Sequence, residues 1–227
     1  MGRVIRRIFS SPWSIPYILL KKLICKVRSI YYSSKIDGGG GKIILTEPFI
    51  RFKFKKDKSS KLIVKGILKI IPHLGGNSPV VLTLSENSKF HVNGDFNIGQ
   101  GVRIAVSNHA TLVIGGREKD KWCGITSDTL IMVSKKIDIG KDFVCAWNIF
   151  ISDSDWHSIE GQPHQADVII GDHVWVANSC SILKGAVISD NSIVASHSKV
   201  TNKSFSRDSL LAGTPARVIK TNINWSL

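Results

Sequence analysis

The chain has no acidic residue before Asp37, only four cysteines in 227 residues, and no uncharged run long enough to cross a bilayer. Each shortage excludes something. Cys25, Cys123, Cys145 and Cys180 show no paired spacing of the kind that holds a metal. A chain of this length can bury a sizeable core without disulfides, so the cysteines read as reduced and structural, which suits a cytoplasmic location. The longest uncharged run of the basic N-terminal segment, residues 8–20, is interrupted by Pro12 and Pro16, whereas a spanning helix needs about 20 apolar residues. No small-residue cleavage site follows it, so no signal peptide is expected.

The missing acids leave the charge lopsided. Residues 1–69 hold 17 Lys and Arg against 3 acids, while the rest of the chain carries 14 of each sign. A basic segment on a neutral body points to an anionic partner for the segment only. From Ile15 onward one helical face collects Leu20, Leu23, Ile24, Val27 and Tyr31, and Lys21, Lys22, Lys26 and Arg28 lie elsewhere on the cylinder. Residues 1–36 therefore read as a basic amphipathic segment. It suits either the inner face of the cytoplasmic membrane or a neighbouring subunit. Nothing in it forms a nucleic-acid motif, so nucleic acid is not a predicted partner. Residues 37–41, rich in glycine, read as a flexible joint, and residues 221–227 as a tail.

What the chain does have is a six-residue step. Apolar residues recur at Ile170, Val176, Ile182, Ile188, Val194 and Val200, each followed four places later by a compact residue: Val174, Cys180, Ala186, Ser192, Ser198 and Ser204. Shorter ladders run through Val92, Ile98, Ile104 and Ala110, and through Val133, Ile139, Cys145 and Ile151. A helix would scatter every sixth residue about 240° apart around its cylinder. Six is a multiple of the strand period of two, so short strands joined at tight corners keep the ladder on one side of a sheet. An ordinary sandwich is the alternative, but its strands rarely hold one step through six repeats. The spacing predicts a solenoid over residues 42–220, with residues 42–90 as irregular opening coils.

The register breaks twice. One break, around GGREKDKWCG, is charged and glycine-containing. The other, SDSDWHSIEGQPHQAD, concentrates acids, two histidines and a tryptophan on a loop flanked by regular coils, where chemistry is usually found. An extended backbone would place Asp153, Asp155 and His157 on one face. There, His157 suits a general base whose second ring nitrogen is held by a carboxylate, and a solvated acidic turn is the bland alternative.

The stretch from IIGDHVWVANSC to AGTPARVIK resembles the C-terminal half of the hexapeptide-repeat acyltransferases, most specifically in the VWVAN run at 174–178 and the closing AGTPARVI at 212–219. The resemblance implies an all-β fold, a left-handed parallel β-helix, to which the charge pattern adds a short N-terminal amphipathic helix. Left-handed crossovers would depart from the usual rule for parallel strands. It further implies acetyl-CoA as acyl donor, no required metal, a carbohydrate acceptor and a homotrimer with each site between two subunits. The SDSDWHSI loop is similar to the one carrying the catalytic histidine in members that O-acetylate sugars and surface polysaccharides, so that role falls on His157. Acceptor contacts are expected at Asp155 and Trp156, and at Asn148 if it is not a turn-stacking residue. Donor contacts are expected at Trp175, Asn178, Ser196, Thr201, Asn202, Arg217 and Lys220. Two positions depart from the pattern: His197 stands where glycine is usual, and Asn202 replaces a common lysine, with Lys203 as its substitute.

The activity implied is O-acetylation in capsule, O-antigen or exopolysaccharide synthesis. N-acetylation of a nucleotide-linked amino sugar would use the same base and donor. A zinc enzyme of the γ-carbonic-anhydrase type would need three converging histidines, here His157, His164 and His173, at spacings that do not resemble its own. A non-catalytic scaffold would leave His157 without a role.

Overall fold

A computed structural model describes residues 14–73, 76–118 and 122–226. Its body is a parallel β-helix with three faces, and among the described residues these are sheets of nine, seven and seven strands. The chain visits them in turn. The first coil runs from Lys42–Leu45 on face one to Phe52–Lys56 on face two and Lys61–Val64 on face three, and then returns to face one at Ile67–Ile71.

The six-residue ladder maps onto this geometry directly. Cys145, Val176 and Val194 stack on face one, Ile151, Ile182 and Val200 on face two, and Ile139, Ile170 and Ile188 on face three. Three faces of six residues make the 18-residue coil. All of these side chains are buried, each contributing roughly 1.5–3 kcal/mol by leaving water. The compact residues fill the inner corners, where a triangular cross-section leaves least room: Val174, Cys180, Ala186, Ser192 and Ser198 are all buried. The hydroxyl of Ser192 stays satisfied there, donating to the Asp190 carbonyl at 3.2 Å.

The last predicted corner, Ser204, is exposed. Below it the chain takes five residues from Val200 to Phe205 in place of six, and Phe205, paired with Ile188, enters the core. Nor are the opening coils irregular. They pair in unbroken parallel register, Ile43 on Leu68 and Leu68 on Phe96. Their coils are longer than 18 residues, which hides the step in the sequence.

The N-terminal helix, α1 (Ser14–Ser33), closes the open end of the solenoid. The Ser29 and Ser33 hydroxyls accept hydrogen bonds from the backbone N–H groups of Leu45 and Ile43 at 3.0 and 2.9 Å, capping donors on an otherwise unpaired edge strand. Arg28 donates to the carbonyls of Pro48 and Ile50, and the Tyr32 hydroxyl to that of Phe52. The glycine-rich run is no free joint. Val64 N–H donates to Gly38 and Gly41 N–H to Val64, and a Cβ at Gly41 would meet the Gly66 carbonyl oxygen at 2.3 Å. The tail also packs, with Trp225 stacked on His173 at 4.0 Å between ring centres.

Candidate active site

The acidic, histidine-bearing break leaves the helix at the corner between faces two and three, between Phe150–Ser152 and Val168–Ile170. It folds into a two-limbed arm. Asp155 N–H donates to the His164 carbonyl, Ala166 N–H to that of Asp153, and Gln162 N–H to that of Ile159, with Gly161 in the left-handed region at the tip.

Two side chains root the arm. Asp153 is fully buried, and its carboxylate accepts from the backbone N–H groups of Ser134 and Lys135 at 2.7 and 2.8 Å in the coil below. Burial raises its carboxyl above the usual value, against the pull of those backbone donors. From the coil above, Lys184 pairs with the Asp155 carboxylate and donates to the Pro163 carbonyl at 2.6 Å, holding both limbs.

The expected common face of Asp153, Asp155 and His157 does not form. Trp156 sits in the left-handed region at φ 64°, which turns the chain and ends the two-residue alternation. Asp153 points into the coil stack, Asp155 is held by Lys184, and neither carboxylate touches His157. Among the described residues the exposed His157 ring has no hydrogen-bond or ion-pair partner, so one nitrogen is available to an incoming hydroxyl and the other to a group outside this chain. Trp156 is 47% exposed beside it.

The other predicted residues separate into groups. Thr201, Asn202 and Lys203 share the arm's corner, two coils above the arm's root. Asn202 sits over Gly185, where its amide oxygen would lie 2.2 Å from any Cβ; glycine there leaves room for it. Lys203 reaches over the Phe205 ring, 5.6 Å from its centre.

Asn148, Asn178 and Ser196 lie at a different corner, between faces one and two. They form a hydrogen-bonded column. Ser196 Oγ donates to Asn178 Oδ1 at 2.8 Å, and the Asn148 and Asn178 amides both donate to Ser179 Oγ. The positive φ angles of Asn148, Ser179 and His197 (58°, 59° and 61°) mark this as the turn position, which explains why glycine would suit position 197 and gives Asn148 a turn-stacking place. Arg217, on the closing antiparallel strand Ala216–Lys220, pairs with Ala212 at the top of the same edge and is exposed, as is Lys220. Trp175 stands apart, at the opposite edge of face one, where Trp225 packs against it at 6.0 Å. His173 is also there, hydrogen-bonded to Asn191 at 2.9 Å and on a different corner from His157 and His164, so the three histidines do not converge.

One residue of this column escapes sequence reasoning. Trp147 is 45% exposed directly beneath Asn178, its carbonyl accepting from Ser179 N–H. The register from Val144 to Trp175 spans 31 residues because the arm intervenes, so no fixed period links Trp147 to the column above it.

The chain is 31% identical over 191 residues to an uncharacterized 24.8 kDa protein in the cps region of Klebsiella pneumoniae, covering 81% of this chain and 82% of that one. It is 43% identical over 96 residues to a polysialic acid O-acetyltransferase of Neisseria meningitidis, covering 40% of this chain and 45% of the relative's length. A third relative, a putative lipopolysaccharide biosynthesis O-acetyl transferase of Escherichia coli, is 26% identical over 100 residues, 38% of this chain and half of its own. The crystal structure of the polySia-specific acetyltransferase NeuO matches at a TM-score of 0.52 and 22% identity, over 84% of this chain and 87% of that one. This chain belongs to the hexapeptide-repeat acyltransferases. Its coil is the left-handed parallel β-helix that the resemblance implied. No protein-family model matches the chain.

In this acyltransferase the arm and the Asn178 column stand on opposite sides of face two. From Asn148 to Asp153 an extended chain covers roughly 16 Å at about 3.3 Å per residue. A single copy thus presents its histidine at one corner and its polar column at another.

Proposed function

We propose that the chain transfers an acetyl group from acetyl-CoA to a hydroxyl of a surface polysaccharide, in the synthesis of a capsule, O antigen or exopolysaccharide. The observation that carries this reading is His157 itself: an exposed, unengaged imidazole on an arm that a buried carboxylate and a lysine root to an acyltransferase coil. The names of the relatives, two of them polysialic acid O-acetyltransferases, support the choice of acceptor class.

In the proposed reaction His157 takes the proton of the acceptor hydroxyl as its oxygen attacks the thioester carbonyl. The tetrahedral oxyanion then collapses, the C–S bond breaks, and the imidazolium returns the proton to the departing thiolate. Backbone N–H groups of the column edge are the donors we assign to the oxyanion, while Ser196, whose hydroxyl donates to Asn178, holds that column in place. Arg217, Lys220 and Lys203, exposed on the last coils, supply cations for the phosphates of CoA. Trp156 offers a ring face to a sugar, with the Asp155 carboxylate beside it.

The separation of arm and column supports a site shared between copies. In a closed ring of three, each arm faces the column of its neighbour, which gives three equivalent sites. All four cysteines are unpaired, in keeping with the cytoplasm as the place of reaction. Incubation with labelled acetyl-CoA and candidate glycans, followed by mass analysis, tests the proposal. An alkali-labile ester on the glycan is the expected product. An amide would make the acceptor an amine, and no transfer to any surface glycan would remove the acceptor class.

A further inference from the structure

Helix α1 caps the solenoid with only part of its surface. Its solenoid contacts run through Arg28, Ser29, Tyr32 and Ser33, in its second half. The opposite face carries an apolar stripe that no described residue covers: Leu19, Leu23, Val27 and Ile30 are 60%, 57%, 57% and 60% exposed, with Ile15 and Leu20 extending it. An exposed apolar stripe of this size on a helix requires a partner.

Charge decides which one. Residues 1–36 carry eight Lys and Arg and no acid, and Lys22 and Lys26 border the stripe. Lys42, Lys53, Lys61 and Lys65, all exposed, ring the first coil and add to the positive charge at this end of the solenoid. A second copy laid helix on helix would bring the same uncompensated positive charge against it, so pairing of two such helices is electrostatically opposed. Anionic lipid meets both demands, with acyl chains for the stripe and phosphates for the lysines. No described helix is long and apolar enough to cross a membrane, so the geometry is that of a helix lying in the interface. Between the helix and the first strand of face one, a mainly apolar groove of about 690 Å³ opens beside Cys25, Ile30 and Ile44, with Lys26 and Lys42 at its rim. That groove has the chemistry to receive one lipid tail with its phosphate at the two lysines.

We infer that the basic end of the solenoid, led by the outward face of α1, docks on an anionic membrane surface and presents the coils to a membrane-attached acceptor. This surface is independent of the acyl-transfer chemistry and stands or falls separately from it.

Co-sedimentation of the full chain with vesicles of phosphatidylcholine and phosphatidylglycerol, in about a 3:1 ratio, tests it, with phosphatidylcholine vesicles as the neutral control. Binding to the anionic vesicles, falling with added salt, is expected. The double variant Leu19→Glu/Leu23→Glu should bind at least about tenfold more weakly, as should Lys22→Glu/Lys26→Glu. All four positions are exposed or border the stripe, so the melting temperature should hold, which separates lost docking from lost folding. Failure of the wild-type chain to bind anionic vesicles would overturn the inference. So would equal binding by the Glu variants, or a wild-type assembly that Leu19→Glu/Leu23→Glu dissociates while vesicle binding is absent.

Discussion

Replacing Asp153 by alanine should loosen the arm that carries His157 without touching the histidine. The wild-type carboxylate accepts two charge-assisted hydrogen bonds from Ser134 and Lys135 N–H, at 2.7 and 2.8 Å, from a fully buried position. Alanine leaves both backbone donors without a partner, at about 1–3 kcal/mol each, and the exposure of Lys135 lets water recover part of the loss. The net cost is about 2–4 kcal/mol. At roughly 2–4 °C per kcal/mol for a chain of this size, the melting temperature should fall by about 4–16 °C. Asparagine keeps one acceptor oxygen and should cost about half as much. At a temperature where the variant remains folded, kcat should fall by about tenfold or more, since a base displaced by an ångström loses much of its effect. Thermal melts by circular dichroism and acetyl transfer on the same preparations give both numbers. A melting temperature within about 1 °C of wild type, with kcat unchanged, would refute the assignment of Asp153 as the root of the arm.

The pH dependence of that same pair has a definite sign. The Asp153 carboxyl is raised in the folded state, so the proton-linked part of its contribution, beyond the two hydrogen bonds, is full below the ordinary carboxylate value and is lost as pH rises through the raised one; the wild-type advantage over Asp153→Asn should shrink across that window in melts at successive pH values. Burial pushes the Cys123 thiol up to about 12 and raises those of Cys145, Cys180 and Cys25, but only Cys25 is partly exposed, so a thiol reagent near pH 8 should label Cys25 slowly in the native protein and the other three only after unfolding, as peptide mapping would show. If the site is shared, co-expressing His157→Ala with Asn178→Ala/Ser196→Ala, each inactive by itself, should restore about a quarter of wild-type activity through sites formed by one intact arm and one intact column. No recovery in isolated mixed oligomers would place arm and column in the same copy.

The C-terminal coils were legible because nothing interrupts them. From Ile170 to Val200 each face takes six residues, and the small corner residues repeat with the ladder, so sequence spacing equals spatial spacing. The opening coils follow the same pairing but run 25 to 28 residues per turn, as from Ile43 to Leu68 and from Ile70 to Ile98, and no fixed period survives. Trp147 was hidden for the same reason, the arm lying between it and Asn178. The arm itself was legible as a place, through the broken register, but not as a geometry. Parity placed Asp153, Asp155 and His157 together, and a single left-handed residue, Trp156, undid it. The edge-capping role of Ser29 and Ser33 had no signature either, since two serines on an amphipathic helix read as part of its polar face. Distribution of the expected donor residues over two corners and an edge could not be seen from spacing, because corner identity depends on counting faces through every insertion.

The central claim is that His157 is the base for acyl transfer, and its turnover is the most direct measurement. With labelled acetyl-CoA and a glycan that the wild-type protein acetylates, His157→Ala should lose about 10²-fold or more in kcat while its melting temperature stays unchanged, because the exposed ring makes no contact that the fold uses. A His157→Ala protein that turns over within about threefold of wild type would contradict the account and move the base elsewhere.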